Sequence, residues 1–136
     1  MPRAPLPPEL GRFLEQPRPA VVAVNRADGA PVTAPTWYDL EDGRILLSMI
    51  PAGRRIRHLR RDPRVALTVL GDDWYTHLSL LGRVVEFRDD PGLVDKDRLS
   101  QRYWGKPFPF RKVGGVTALV EIERWHVFGD PAAAGA

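Results

Sequence analysis

Short apolar, β-branched runs follow one another closely along this chain, cut by tight turns, and that spacing limits what it can fold into. Residues 20–24 form the first run and predict a buried strand. Ala27-Asp28-Gly29 turns the chain. Residues 32–38 form a second strand, in which Pro35 implies a bulge or an edge. Glu41-Asp42-Gly43 turns again, and residues 44–50 form a third. Residues 65–70 and 74–87 continue the series, the latter as a long bent strand with Gly82 at its kink. Residues 116–128 form the last. Six closely spaced strands with turn signals predict a mainly β fold, an antiparallel barrel whose closure removes exposed edges.

Helices decorate it. Leu10, Phe13 and Leu14 fall at i, i+3, i+4 and predict a helix over 9–16, ended by Pro17 and Pro19. A second follows Gly53 and stops at Asp62-Pro63. A third is expected over 89–104, with Asp90 as N-cap and Pro91 in the first turn. The expected organisation is a flexible Pro-rich segment over 1–8, one barrel domain over 9–129 and a disordered tail over 130–136. A length of 136 residues suits one domain with one core.

The third strand runs directly into a cluster of cations. Ser48 is the one hydroxyl in an apolar run that ends at Ile50, and Gly53 opens a helix carrying Arg54 and Arg55 in its first turn. Free N–H groups at a helix start favour anions, and forked guanidiniums match phosphate oxygens. This segment reads as the phosphate grip of a nucleotide-like cofactor. Six arginines fall between Arg54 and Arg64 within a net charge of +3, which also fits a nucleic-acid binder or a solvated helix face. Helix phase helps to choose. Ile56 and Leu59 mark the buried side, Arg55 flanks it, and Arg54, Arg57, His58 and Arg61 point away.

Two aromatic groups accompany the grip. Thr36-Trp37-Tyr38 ends the second strand, where a ring can border a flat cofactor. Tyr103-Trp104-Gly105-Lys106-Pro107 follows the third helix and either borders a pocket or plugs a core. Metal chemistry is not expected: His58, His77 and His126 lack ligand spacing, and the chain has no cysteine. No P-loop, G-x-G-x-x-G or G-x-S-x-G occurs. An anion grip with aromatics and no catalytic side-chain set fits a protein whose cofactor supplies the chemistry. No apolar run approaches the ~20 residues of a membrane span, and the N-terminus lacks a signal peptide's apolar core. A cytoplasmic location is expected.

The run from Leu47-Ser48 through Gly53-Arg54-Arg55 to Leu59-Arg60-Arg61-Asp62-Pro63-Arg64-Val65, with Gly82-Arg83-Val84-Val85-Glu86, resembles the pyridoxamine 5'-phosphate oxidase-like FMN-binding split barrels. The resemblance covers roughly residues 10–129. Thr33-Ala34-Pro35-Thr36-Trp37-Tyr38, Tyr103-Trp104-Gly105 and Arg124-Trp125-His126-Val127-Phe128-Gly129 are similar to its small F420-dependent (deazaflavin) branch. The resemblance implies a six-stranded antiparallel split β-barrel, working as a homodimer with the cofactor at the subunit interface. It implies that Ser48, Arg54 and Arg55 hold the cofactor phosphate, Arg55 standing where the family usually has Lys. The resemblance maps Pro35, Thr36 and Trp37 to the strand that lines the ring. Arg57 and Arg61, one and two helical turns on from Arg54, are expected to meet the cofactor's acidic tail, and Tyr103 and Trp104 to shape the substrate side. True pyridoxamine phosphate oxidases carry a C-terminal Arg/His substrate motif; this chain stops after Gly129 and a small-residue tail, so vitamin B6 oxidation is not expected.

The expected activity is hydride transfer between reduced F420 and an unsaturated small organic substrate, with no residue required as acid or base. The alternatives are an FMN-binding oxidoreductase or flavin carrier of the same fold, and a basic nucleic-acid-binding barrel. No nucleic-acid or membrane partner is expected in the first reading.

Overall fold

The computed structural model describes residues 1–131. Its elements are α1 (Pro8–Glu15), β1 (Ala20–Asn25), β2 (Pro31–Thr36), β3 (Asp39–Glu41), β4 (Arg44–Met49), α2 (Arg54–Arg61), β5 (Arg64–Leu70), β6 (His77–Asp90), α3 (Val94–Trp104) and β7 (Gly115–Phe128). All seven strands belong to one antiparallel sheet in the order β2-β1-β5-β6-β7-β4-β3. The fold is mainly β, as expected, with seven strands rather than six.

The extra strand explains how the sheet curls. β2 is one edge and β3 the other, yet only Trp37 and Tyr38 separate them in sequence. Three Cα steps reach at most about 11 Å. The two edges must therefore meet, and the sheet closes on itself without a ladder between them. Pro31 and Pro35 lie on the β2 edge, where a missing N–H costs no ladder bond. The strand expected over 32–38 thus ends at Thr36: Trp37 and Tyr38 cross the split, and the next three residues form an additional strand on the opposite edge.

The long β6–β7 pair bends to wrap the barrel. Its register shifts at Leu81/Gly82 and at Val84/Glu86. A Cβ on Gly82 would lie 2.4 Å from the Glu121 carbonyl oxygen and 2.8 Å from Val120 Cγ1, so the close strand approach needs glycine there. The interior holds Val22, Ile45, Leu47, Leu67, Val69, Leu78, Leu80, Ala118 and Val120 from the strands. α1 seals one end with Leu10, Phe13 and Leu14, and α2 another with Ile56 and Leu59. A smaller cluster of Leu46, Leu99 and Leu119, with Trp37 against it, lies under α3.

Two boundaries differ from expectation. Trp74 and Tyr75 are not in the long strand; they stand in the β5–β6 loop, 80% and 74% exposed. The strand instead runs on to Asp90, and α3 starts at Val94 rather than 89. Asp90 still caps that helix, from further back: its Oδ2 accepts from the Asp95 and Lys96 N–H groups at 3.0 and 3.1 Å. Residues expected to form a flexible lead lie extended along β7, where Ala4 N–H donates to Glu123 O at 3.0 Å and Trp125 N–H to Pro2 O at 3.1 Å. Residues 132–136 of the expected tail lie outside the described residues. Among the described residues no helix is long and apolar enough to cross a membrane.

Candidate functional site: a groove at the barrel split

A cavity of about 640 Å³ opens where the two sheet edges meet. Its walls come from five places. The β2–β3 junction gives Pro35, Thr36 and Trp37; β4 gives Ser48; α2 gives Arg55; α3 and the residues after it give Lys96, Leu99, Tyr103, Trp104 and Phe108; the α1–β1 connection gives Pro17 and Pro19. Seven of the ten residues singled out from sequence thus share one groove.

Ser48 is buried, and its Oγ has no hydrogen-bond partner among the described residues. A buried unpaired hydroxyl costs free energy unless a ligand completes it. Arg55 enters from the first turn of α2. It is half-buried, and burial pulls its pKa down from the usual arginine value, with no carboxylate pairing to offset that. Lys96 approaches from α3. Burial and then the Arg55 guanidinium lower its pKa, while Asp90 raises it. Two half-buried cations, one of which lowers the pKa of the other, stand beside an orphan hydroxyl and together suit an anion. α2 adds to it, since Gly53 as its N-cap supplies no side-chain acceptor to the free N–H groups. The donor set fits a phosphate.

The apolar part of the groove is aromatic. Trp37 stacks on Tyr103, with centroids 5.4 Å apart and planes 10° from parallel, and meets Trp104 edge-on at 4.6 Å. Trp104 runs parallel to Phe108, 6.4 Å away. These rings are fixed from behind. The Tyr103 hydroxyl donates to Arg18 O at 2.7 Å, and the Tyr38 hydroxyl shares its proton between Leu14 O and Gln16 O at 3.0 and 2.9 Å. Burial raises the pKa of both phenols. Thr36 Oγ1 donates to the Trp37 carbonyl at 2.9 Å, so its hydroxyl already serves the junction.

The other arginines divide. Arg54 and Arg57 line a second cavity of about 560 Å³ with Arg26 and His58, and Arg55 lines both cavities. Arg61 lines neither; its Nη2 donates to Asn25 O at 2.7 Å. Sequence reasoning missed Lys96 and Phe108, which reach the groove only through the packing of α3, and Arg26, from the turn after β1. Among the described residues no group of His, Asp and Glu is arranged to hold a metal.

Comparison with known proteins agrees with this architecture. Among solved structures, an F420 reductase superposes with a TM-score of 0.79 at 24% identity, covering 90% of this chain and 98% of its own. A conserved hypothetical protein of Mycobacterium tuberculosis gives 0.74 at 22% identity, covering 98% and 90%. General stress protein 26 of Bacillus anthracis gives 0.68 at 14%, covering 88% and 91%. At these identities the likeness establishes the fold. No curated protein matches the sequence. The sequence profile of the pyridoxamine 5'-phosphate oxidase family, however, matches residues 6–127. With nearly the whole chain inside that match and the barrel folded accordingly, the protein belongs to the pyridoxamine 5'-phosphate oxidase family of split β-barrels.

Proposed function

We propose that this protein is an F420-dependent oxidoreductase passing a hydride between the reduced deazaflavin and an unsaturated small organic substrate. The observation that carries the reading is the second, cationic cavity that continues from the anion clamp. Ser48, Arg55 and Lys96 suit the phosphate of either FMN or F420. FMN ends at its phosphate. F420 goes on into a lactyl-glutamyl tail bearing carboxylates, and Arg54 and Arg57 in the second cavity would offer it partners, whereas Arg26 beside them already pairs with Asp28 at 3.1 Å. Arg61 stands apart from that wall.

The bound deazaflavin would supply the hydride chemistry. The chain's own residues bind and orient it. Ser48, Arg55 and Lys96 would hold the phosphate, and Pro35, Thr36 and Trp37 would border the ring. Tyr103 and Trp104 shape the apolar side and exclude water. Positioning of this kind lowers a barrier without an acid or base. Both phenols are raised in pKa and engaged with backbone carbonyls, so neither is assigned proton transfer.

FMN is the rival, favoured by the same clamp and aromatic wall taken without the second cavity. Fluorescence titrations of F420 and FMN at low and high salt separate the two. Exposed charges are screened within about 10 Å at 0.1 M salt. F420 is expected to bind more tightly than FMN, with a margin that narrows as salt rises. Arg57→Glu is expected to narrow it further while leaving FMN unchanged. Tighter FMN binding at both salts, or F420 affinity indifferent to salt, would transfer the assignment to FMN.

A further inference from the structure

We propose that a third cavity, on the far side of Phe108 and Lys96 from the phosphate clamp, binds an organic anion with an apolar body. It encloses about 610 Å³, within the range of small-molecule sites. Met49, Ile50, Leu93, Phe110 and Val113 form its apolar lining. Ile50, Phe110 and Val113 remain 61%, 71% and 58% exposed, so these side chains have little of their own to pack against.

Charge defines the ligand's other end. The lining includes Lys96, Arg111 and Lys112 and no acidic residue. Arg111 is already neutralised by a two-pronged pair with Asp97, at 2.8 and 3.0 Å. Lys112 and Lys96 pair with no carboxylate among the described residues. Lys96 serves the phosphate clamp, which leaves Lys112 as the slot's own unneutralised ammonium group. An apolar slot with one such group at its rim selects a molecule that is apolar along its length and anionic at one end. A neutral apolar molecule would leave Lys112 unserved, and a small inorganic anion would leave the walls wet.

The slot adjoins the cofactor groove. Phe108 and Lys96 line both cavities, with the Lys96 Nζ 4.9 Å from the centre of the Phe108 ring. An occupant of the slot therefore lies against Phe108, which also packs on the Trp37 and Trp104 rings of the groove. If the F420 reading above holds, on which this point alone rests, the acceptor is an unsaturated carboxylic acid with an aryl or alkyl body.

The test uses the full chain and needs no turnover. 8-Anilino-1-naphthalenesulfonate, whose fluorescence rises in apolar sites, reports occupancy. 4-Phenylbutyrate and its amide, alike in shape and different in charge, compete for it. The dye is expected to bind one per chain and to be displaced by the acid well before the amide. Val113→Trp should fill the slot and abolish dye binding. Lys112→Glu should weaken the acid roughly three- to fivefold, as expected for a partly exposed pair. F420 affinity, measured in the same two variants, should stay unchanged; that readout judges the cofactor reading separately. Equal displacement by acid and amide, or dye binding untouched by both variants, would overturn the proposal. So would dye binding lost as rising protein concentration drives association, since a second copy would then fill the slot.

Discussion

Arg55 holds a half-buried charge with no carboxylate beside it, a costly arrangement unless an anion completes it. Arg57, two residues on, faces the outer cavity and is exposed. Arg55→Ala is therefore expected to weaken cofactor binding more than Arg57→Ala does. Loss of a charge-assisted bond costs about 1.5–3 kcal/mol, roughly tenfold or more in affinity. Equal dissociation constants in the two variants would remove Arg55 from the clamp. Ser48 and Arg55 were legible in the sequence because their signals are local: a hydroxyl at a strand end, a glycine, and helix phase around Ile56 and Leu59. Lys96 was not, because it meets Arg55 only after α3 has packed. Gly82 makes a different kind of claim. A methyl group there meets backbone oxygen at 2.4 Å, so Gly82→Ala is expected to lower stability by about 1–3 kcal/mol, read as an earlier denaturant midpoint. An unchanged midpoint would mean that the bulge relaxes freely.

At the scale of elements, α3 delivers Lys96, Tyr103 and Trp104, and arginines fasten it to its surroundings. Arg88 on β6 donates to both Glu41 oxygens at 2.8 and 2.9 Å and to both Asp95 oxygens at 3.0 and 3.1 Å. Arg98 reaches Asp39 at 2.8 Å, and Arg102 reaches the Tyr38 and Leu14 carbonyls at 2.9 Å each. Arg88 bonds hold the Glu41 carboxyl below its ordinary pKa. For Asp95 burial pushes upward, but bonds from Arg88 and Thr117 outweigh it and the net shift is downward. A carboxyl lowered on folding stabilises above its unfolded pKa and loses that contribution as pH falls through the folded one. Stability is therefore expected to hold near neutrality and to decline below about pH 4, where free carboxyls begin to protonate. Arg88→Met should cost about 1–3 kcal/mol at pH 7, allowing for the partial exposure of Arg88, and much less at pH 3. Thermal melts at the two pH values check this; an equal loss at both would make Arg88 a packing residue only. Little of this brace was readable in advance. Asp39-Leu40-Glu41 carries two acids and is three residues long, so nothing marked it as a strand. Pro91 drew the expected helix start forward, although Asp90 caps from across the intervening turn. Trp74 and Tyr75 have strand propensity, which the loop overrides.

For the whole molecule, the short β-branched runs and their turns were enough to indicate an antiparallel barrel, because those signals act between chain neighbours. They could not show that β2 and β3 lie on opposite edges, since only the complete sheet order reveals it. Yet that closure creates the groove: the junction crossing the split supplies Pro35, Thr36 and Trp37 to its wall. The outside of the barrel bears on assembly. Along β6 the outward positions include Leu81 and Val85, 41% and 44% exposed, with Arg83 between them. Phe128, at the end of the neighbouring β7, is 52% exposed. Large apolar side chains repeated on one sheet face mark an association surface rather than a solvated one. A homodimer is expected, built on that face. Sedimentation velocity should give a mass near twice the chain's 15.3 kDa. Leu81→Lys combined with Val85→Lys should shift the protein to monomer without unfolding it, because both side chains point away from the core, and cofactor affinity should fall with the dimer. A wild-type monomer that still binds the cofactor tightly would sink the assembly and show that one barrel completes the site alone.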